Sequence, residues 1–154
     1  MAFRFLDEPT CNGVKDMQKL QRTVLNPATA PKPLGAYSHG IKVTPGSLLY
    51  VAGQVGVDSN GELVGRNDVA AQTRQVFQNI GYVLDAAGAT FSNVVELTTY
   101  LVGRNSIQGF IEARTAIFPG LFPSGDYPPN TLLLIDGLIR EEFLVEIKAV
   151  AALP

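Results

Sequence analysis

The stretch DVAAQTRQVFQNIGYVLDAAGAT, residues 68–90, decides the architecture. Val69, Thr73, Val76, Phe77, Ile80, Val83, Leu84 and Ala87 recur at helical spacing, so the helix they predict has one apolar stripe and a polar remainder. Asn67 or Asp68 can cap its start, and Gly88 suits the left-handed residue that ends a helix. Immediately after it, Asn93 to Val102 (NVVELTTYLV) alternates and is β-branched and aromatic, which predicts a strand. An apolar helix stripe followed by a strand points to a helix layer packed on a sheet.

Working outward, a second helix is predicted with Asn105 or Ser106 as N-cap and Pro119-Gly120 as its stop. Its apolar face is Ile107, Phe110, Ile111, Ile117 and Phe118. A Gly- and Pro-rich loop (120–129) leads to a strand over Thr131 to Ile135, and Glu142 to Leu153 is the last strand. Upstream, Ile41 to Val43 and Ser47 to Gln54 read as strands separated by the Pro45-Gly46 turn, and 55–64 forms two short extended pieces around Asp58-Ser59-Asn60-Gly61. Residues 1–26 are set apart in composition. Phe3, Phe5 and Leu6 could dock on the body, and Val14 to Leu25 has periodicity too weak to choose helix or strand. The connector NPATAPKPLG reads as extended chain. The organisation is an N-terminal extension, 1–26, and a single domain, 27–154. The fold class is α+β, a mixed β-sheet with two helices packed on one face. The other sheet face is apolar enough to need a cover, which predicts an oligomer.

The whole chain sets the outer bounds. Its 154 residues suit one domain, and 46% hydrophobic with 17% charged residues is a globular balance. A net charge of −2 offers no footprint for nucleic acid or an anionic membrane. No apolar run approaches the ~20 residues of a membrane span, and the N-terminus lacks a signal peptide's apolar core; the expected location is the cytoplasm. The single cysteine, Cys11, excludes an intramolecular disulfide and reads as incidental.

Walker A, dinucleotide, G-x-S-x-G and Cys/His metal motifs are lacking. The single histidine, His39, lies in a connector and reads as a surface or locally hydrogen-bonded group. Arg114 stands in the middle of the second helix's apolar stripe, four residues after Phe110 and four before Phe118. A guanidinium there is a structural ion pair, a side chain that snorkels past the edge, or a clamp for a substrate anion. Glu146, on the opposite side of the last strand from Val145, Ile147 and Ala149, either pairs with Lys148 on a solvated face or acts as an acid/base under cover.

Several segments, in this order, resemble the Rid (YjgF-type) enamine/imine deaminase family: GAYSHGIKV (35–43), LLYVAGQVGVD (48–58) with NGEL (60–63), the helix at 68–90, VVELTTYLV (94–102) and LVEIKAVAAL (144–153). The resemblance implies a chorismate-mutase-like fold, a homotrimer with pockets between subunits, and cofactor-free hydrolysis of small enamines and imines to 2-keto acids. It assigns Tyr37 and Glu146 as catalytic, the glutamate helping to place the attacking water, and Gly53 as a pocket-lining backbone. The family's P-x-R-S/T-x-V segment, whose arginine pairs with the substrate carboxylate, is here PPNTLLLID (128–136). Asn130 replaces the arginine, and Leu132 stands where some relatives carry cysteine. Arg114 aligns where active members commonly carry an asparagine, which leaves two readings: the pocket has lost its charge, and with it the usual deaminase activity, or the charge has moved from 130 to 114. Arg114, Asn130 and Leu132 complete the expected substrate-binding set. The expected partners are a small-molecule ligand and two further copies of the chain, with neither nucleic acid nor membrane. The alternative function is a non-catalytic trimer that binds a small metabolite. A ribonuclease role, attached to some relatives, lacks a basic patch to support it.

Overall fold

The computed structural model describes residues 20–30, 32–44 and 46–154. Cys11 and the apolar trio Phe3, Phe5 and Leu6 lie outside the described residues. The elements run β1 (Arg22–Leu25), β2 (Gly40–Val43), β3 (Ser47–Val55), α1 (Val69–Ala86), β4 (Val94–Val102), α2 (Ser106–Leu121), β5 (Asn130–Ile135) and β6 (Val145–Leu153). β1 and β2 make an antiparallel pair; the other four form a mixed sheet in the order β3-β6-β4-β5. Only β4 and β5 are parallel, because α2 is the crossover between them. The end of the compositionally distinct stretch thus supplies β1, which bonds to β2 beyond the proline-rich connector.

The stripe read from residues 68–90 does what its spacing predicts. Asp68 caps α1 by accepting from the Ala71 N–H at 2.9 Å. Gly88 has φ +67°, and the Gly88 and Ala89 N–H groups donate to the Asp85 and Leu84 carbonyls. Thr73, Val76, Phe77, Ile80 and Leu84 are buried. Ala87 is a correction: it is the exposed C-cap, because the helix has already ended there.

α2 departs from the expected face in two ways. Ile111 is 38% exposed, whereas Ala113 is buried with Phe110 and Phe118. The stripe that Phe110 and Phe118 define, eight residues apart, passes through 113 and 114, and 111 lies about 100° round the helix from 110. The predicted stop at Pro119-Gly120 comes late: α2 runs to Leu121 with Pro119 inside its last turn. Phe118 and Phe122 are both buried, and the Phe122 N–H still reaches the Phe118 carbonyl at 2.8 Å, so packing holds the turn despite the missing donor.

Inward-facing residues of the sheet, Val51, Leu97, Leu101, Val145, Ile147, Ala149 and Ala151, meet the helices in one core. Strand β6 begins at Val145 rather than Glu142, because the preceding backbone is taken by a helix side chain. Buried Gln72 of α1 donates to the Gly65 and Glu142 carbonyls and accepts from the Leu144 N–H. Gly56 permits that approach, since a Cβ there would lie 2.8 Å from the Gln72 Cβ.

Candidate functional site

Period-two geometry fixes where each candidate side chain stands. On β6, Val145, Ile147 and Ala149 face the helices, so Glu146, Lys148 and Val150 face the open side. Glu146 is paired with Val55 on one side and Tyr100 on the other, and it is half-buried between these neighbours. The β3–β6 register slips between Val51 and Gln54, a bulge that places Ala52 and Gly53 opposite one stretch of β6. There Gly53 comes against Glu146: a Cβ on Gly53 would be 2.7 Å from the Glu146 Cδ and 2.9 Å from its Cγ. The carboxylate therefore occupies the space that a side chain at 53 would fill. It has no hydrogen bond or ion pair among the described residues, and the only ion pair among them is Arg140–Glu142 at 2.7 Å. Lys148, two residues along the same face, does not neutralise it.

Asn130 and Leu132 stand elsewhere. In the parallel β4–β5 pair, Asn130 lies beside Leu97 and Leu132 beside Thr99, both of which point toward the helices. The Thr99 hydroxyl donates to the Asn130 Oδ1 at 3.0 Å. Glu146 with Gly53 and Asn130 with Leu132 are thus on opposite faces, and β4 separates β6 from β5. One copy of the chain does not bring them to one small molecule.

Tyr37 is held within its own loop. Its hydroxyl accepts from the Leu34 N–H at 3.2 Å, its N–H donates to the Gly35 carbonyl at 2.9 Å, and its ring stands edge-on to His39 at 6.4 Å. His39 is exposed, and its backbone N–H donates to the Asn26 Oδ1. No hydrogen bond links Tyr37 to Glu146.

Arg114 lies on the core side of α2, where its helical spacing puts it. Its guanidinium carbon is 5.4 Å from the Phe110 ring centre and 5.7 Å from that of Phe118. The Nε is buried without a partner among the described residues, and burial lowers the guanidinium's pKa. No hydrogen bond joins it to Asn130. Its neighbour across the gap is Gly35, whose missing Cβ would sit 3.5 Å from Nη2.

Three residues that matter to these placements escaped the sequence reading. Gly35 borders the Arg114 guanidinium, Thr99 holds the Asn130 amide, and Tyr100 flanks Glu146. Tyr100 had a signal, since it shares parity in β4 with the outward Glu96 and Thr98. The other two depend on tertiary register, which local spacing does not carry. A groove of about 330 Å³ between α1 and α2 is lined by Phe77, Tyr82, Phe91, Ile117 and Leu121 among others, and by none of the candidate residues. Among the described residues no helix is long and apolar enough to cross a membrane, and no three His, Cys, Asp or Glu side chains gather as a metal site.

The family model described as endoribonuclease L-PSP matches residues 27–153. The chain belongs to this family, which includes the YjgF, RutC and Rid proteins. It is 34% identical over 131 residues to a RutC family protein of Pyrococcus horikoshii, covering 84% of this chain and 97% of that one. It is 37% identical over 109 residues to the 2-iminobutanoate/2-iminopropanoate deaminase of Rattus norvegicus, covering 70% of this chain and 77% of the relative. The crystal structure of the Rid family protein YyfB of Yersinia pestis superposes with a TM-score of 0.75 at 38% identity, covering 86% of this chain and 98% of that one. The mixed sheet with two helices on one face is thus the family's α+β fold.

Proposed function

We propose that this Rid family protein hydrolyses a small imine or enamine in a site completed between copies of the chain. The observation that carries the reading is the Glu146 carboxylate, seated on the Gly53 backbone at the open sheet face with no cation to neutralise it. A carboxylate in that condition is available as a base. It would take a proton from a water as the water oxygen bonds to the imine carbon. It would pass that proton to nitrogen to give a carbinolamine, and would then carry the carbinolamine hydroxyl proton to the same nitrogen as the C–N bond breaks, releasing ammonia and leaving a carbonyl. Backbone groups beside Gly53, and Tyr37 once freed from Leu34, would polarise the substrate.

The need for a second copy follows from the two faces. Glu146 opens toward the uncovered side, whereas Asn130 and Leu132 lie at the sheet edge on the helix side. The edge of one copy against the open face of the next would bring both sets together. Exposed apolar residues on both surfaces support that contact, with Tyr50 73% exposed on β3 and Leu133 40% exposed on β5. We take the assembly to be a homotrimer, as the family resemblance implies.

Asn130 alters specificity. Its amide donates hydrogen bonds but supplies no charge, and loss of a charged clamp costs on the order of 2–5 kcal/mol of binding. The test is release of 2-oxobutanoate and ammonia from 2-iminobutanoate generated in situ. Wild type should accelerate hydrolysis, and Glu146→Gln should lose at least about 100-fold, as expected for a general base. Equal rates for the two proteins would remove the carboxylate from the mechanism. Ligand binding without turnover by wild type would favour a non-catalytic binding protein.

A further inference from the structure

Arg114 is a cation for which the described residues supply no anion. Its Nε is buried and without a hydrogen bond, and its other nitrogens make no hydrogen bond or ion pair among the described residues. Two phenyl rings, Phe110 and Phe118, take one part of the guanidinium. They stabilise a cation but leave its N–H donors unused, the buried Nε among them. Arg22 provides the contrast within the same chain. Its Nε is also buried without a partner, yet its Nη2 donates to the Val94 and Asp126 carbonyls at 3.2 and 3.1 Å, and the Asp126 charge supports it. Arg22 is thus tied to its surroundings, whereas Arg114 is not.

Gly35 faces Nη2 without a side chain between them, and the Gly35 turn leads within two residues to Tyr37. Asn130 and Leu132 lie on the same side of the sheet as α2. We infer that Arg114 is the specificity-determining residue of this chain, receiving the carboxylate of a small 2-oxo or 2-imino acid beside the Gly35 turn. The inference rests on the site reading given above, and it assigns the anionic end of the substrate. A planar carboxylate matches the guanidinium's two-nitrogen fork, whose donors make no hydrogen bond among the described residues.

The experiment is isothermal titration of the full chain with 2-oxobutanoate, with neutral 2-butanone, and with inorganic phosphate. Wild type should bind 2-oxobutanoate and bind the ketone and phosphate at least about tenfold more weakly, because a matched charge pair is being measured. Arg114→Met keeps an unbranched stem against the rings, and should weaken 2-oxobutanoate by at least about thirtyfold while leaving 2-butanone unchanged. Gly35→Ala keeps the charge but places a methyl beside Nη2, and should weaken 2-oxobutanoate by about tenfold. A structural role predicts the reverse, a lower melting temperature for Arg114→Met with unaltered binding, and that result overturns the assignment. So does phosphate binding as tightly as 2-oxobutanoate, or absence of 2-oxobutanoate binding by wild type. Glu146→Gln separates the two ideas, since it should abolish turnover and retain Arg114-dependent binding. If wild type binds 2-oxobutanoate through Arg114 yet hydrolyses no imine, the hydrolysis reading fails and the anion site stands.

Discussion

Replacing Gly53 with alanine tests the proposed chemistry with one methyl group. The added Cβ would lie 2.7 Å from the Glu146 Cδ, and ordinary contact begins near 3.4 Å. The carboxyl carbon must therefore retreat by about 0.7 Å, and the nearer oxygen by more. A displacement of about 1 Å from productive geometry costs roughly 100-fold in rate. The fold should hardly notice, because the obstacle is the far end of a flexible side chain at an open face. Alanine in a strand is in fact favoured over glycine by about 0.5–1 kcal/mol. We expect kcat/KM for 2-iminobutanoate to fall by about 100-fold, with a melting temperature equal to or slightly above that of wild type. The assay pairs the ammonia-release rate with a thermal melt on the same preparation. Activity within threefold of wild type, in a protein that melts normally, would refute the claim that Glu146 works from its seat on Gly53.

Two further outcomes follow from features away from that carboxylate. Gln72→Leu preserves volume but leaves the Glu142 carbonyl and the Leu144 N–H without their partner, while the Gly65 carbonyl keeps the Asp68 N–H, and it should destabilise the protein by about 2 kcal/mol or more in urea unfolding, at about 1–3 kcal/mol per stranded group. Leu133→Glu puts a charge on the uncovered face of the edge strand. It should shift the assembly toward monomer in analytical ultracentrifugation and reduce turnover with it; a variant that remains fully assembled would argue against that contact.

How much could be read from the chain differs by element, for physical reasons. α1 was legible because its stripe, its cap at Asp68 and its stop at Gly88 are all local signals that agree. α2 was legible in place but not in detail: isoleucine at 111 reads as core, yet α2 turns it outward and buries the small Ala113. Pro119 reads as a stop, yet aromatic packing at Phe118 and Phe122 carries the helix past it. The two faces of β6 followed from alternation, so the exposure of Glu146 to the open side was foreseeable. What alternation could not give was the Gly53 contact, which depends on a one-residue bulge between strands almost a hundred positions apart. Likewise Asn130 reads as a lost arginine, and only the parallel register with β4 shows its carbonyl held by Thr99. Arg114 was visible as a misplaced charge; that no acid among the described residues answers it required the tertiary structure.

Strand β5 has a consequence beyond the site. It is the last strand of the sheet, and Leu132, Leu133 and Leu134 are each a little over one-third exposed, on alternating faces. Between Pro129 and Asp136 the segment carries no charge and no proline. An uncovered apolar edge with free backbone donors and acceptors is a template for adding further strands. Whatever covers this edge therefore also acts as its guard against fibrillar association. Dilution or dissociation would be hazardous through the colour-free route of aggregation well before the core itself unfolded, and the half-life of the purified protein should be governed by occupancy of that edge.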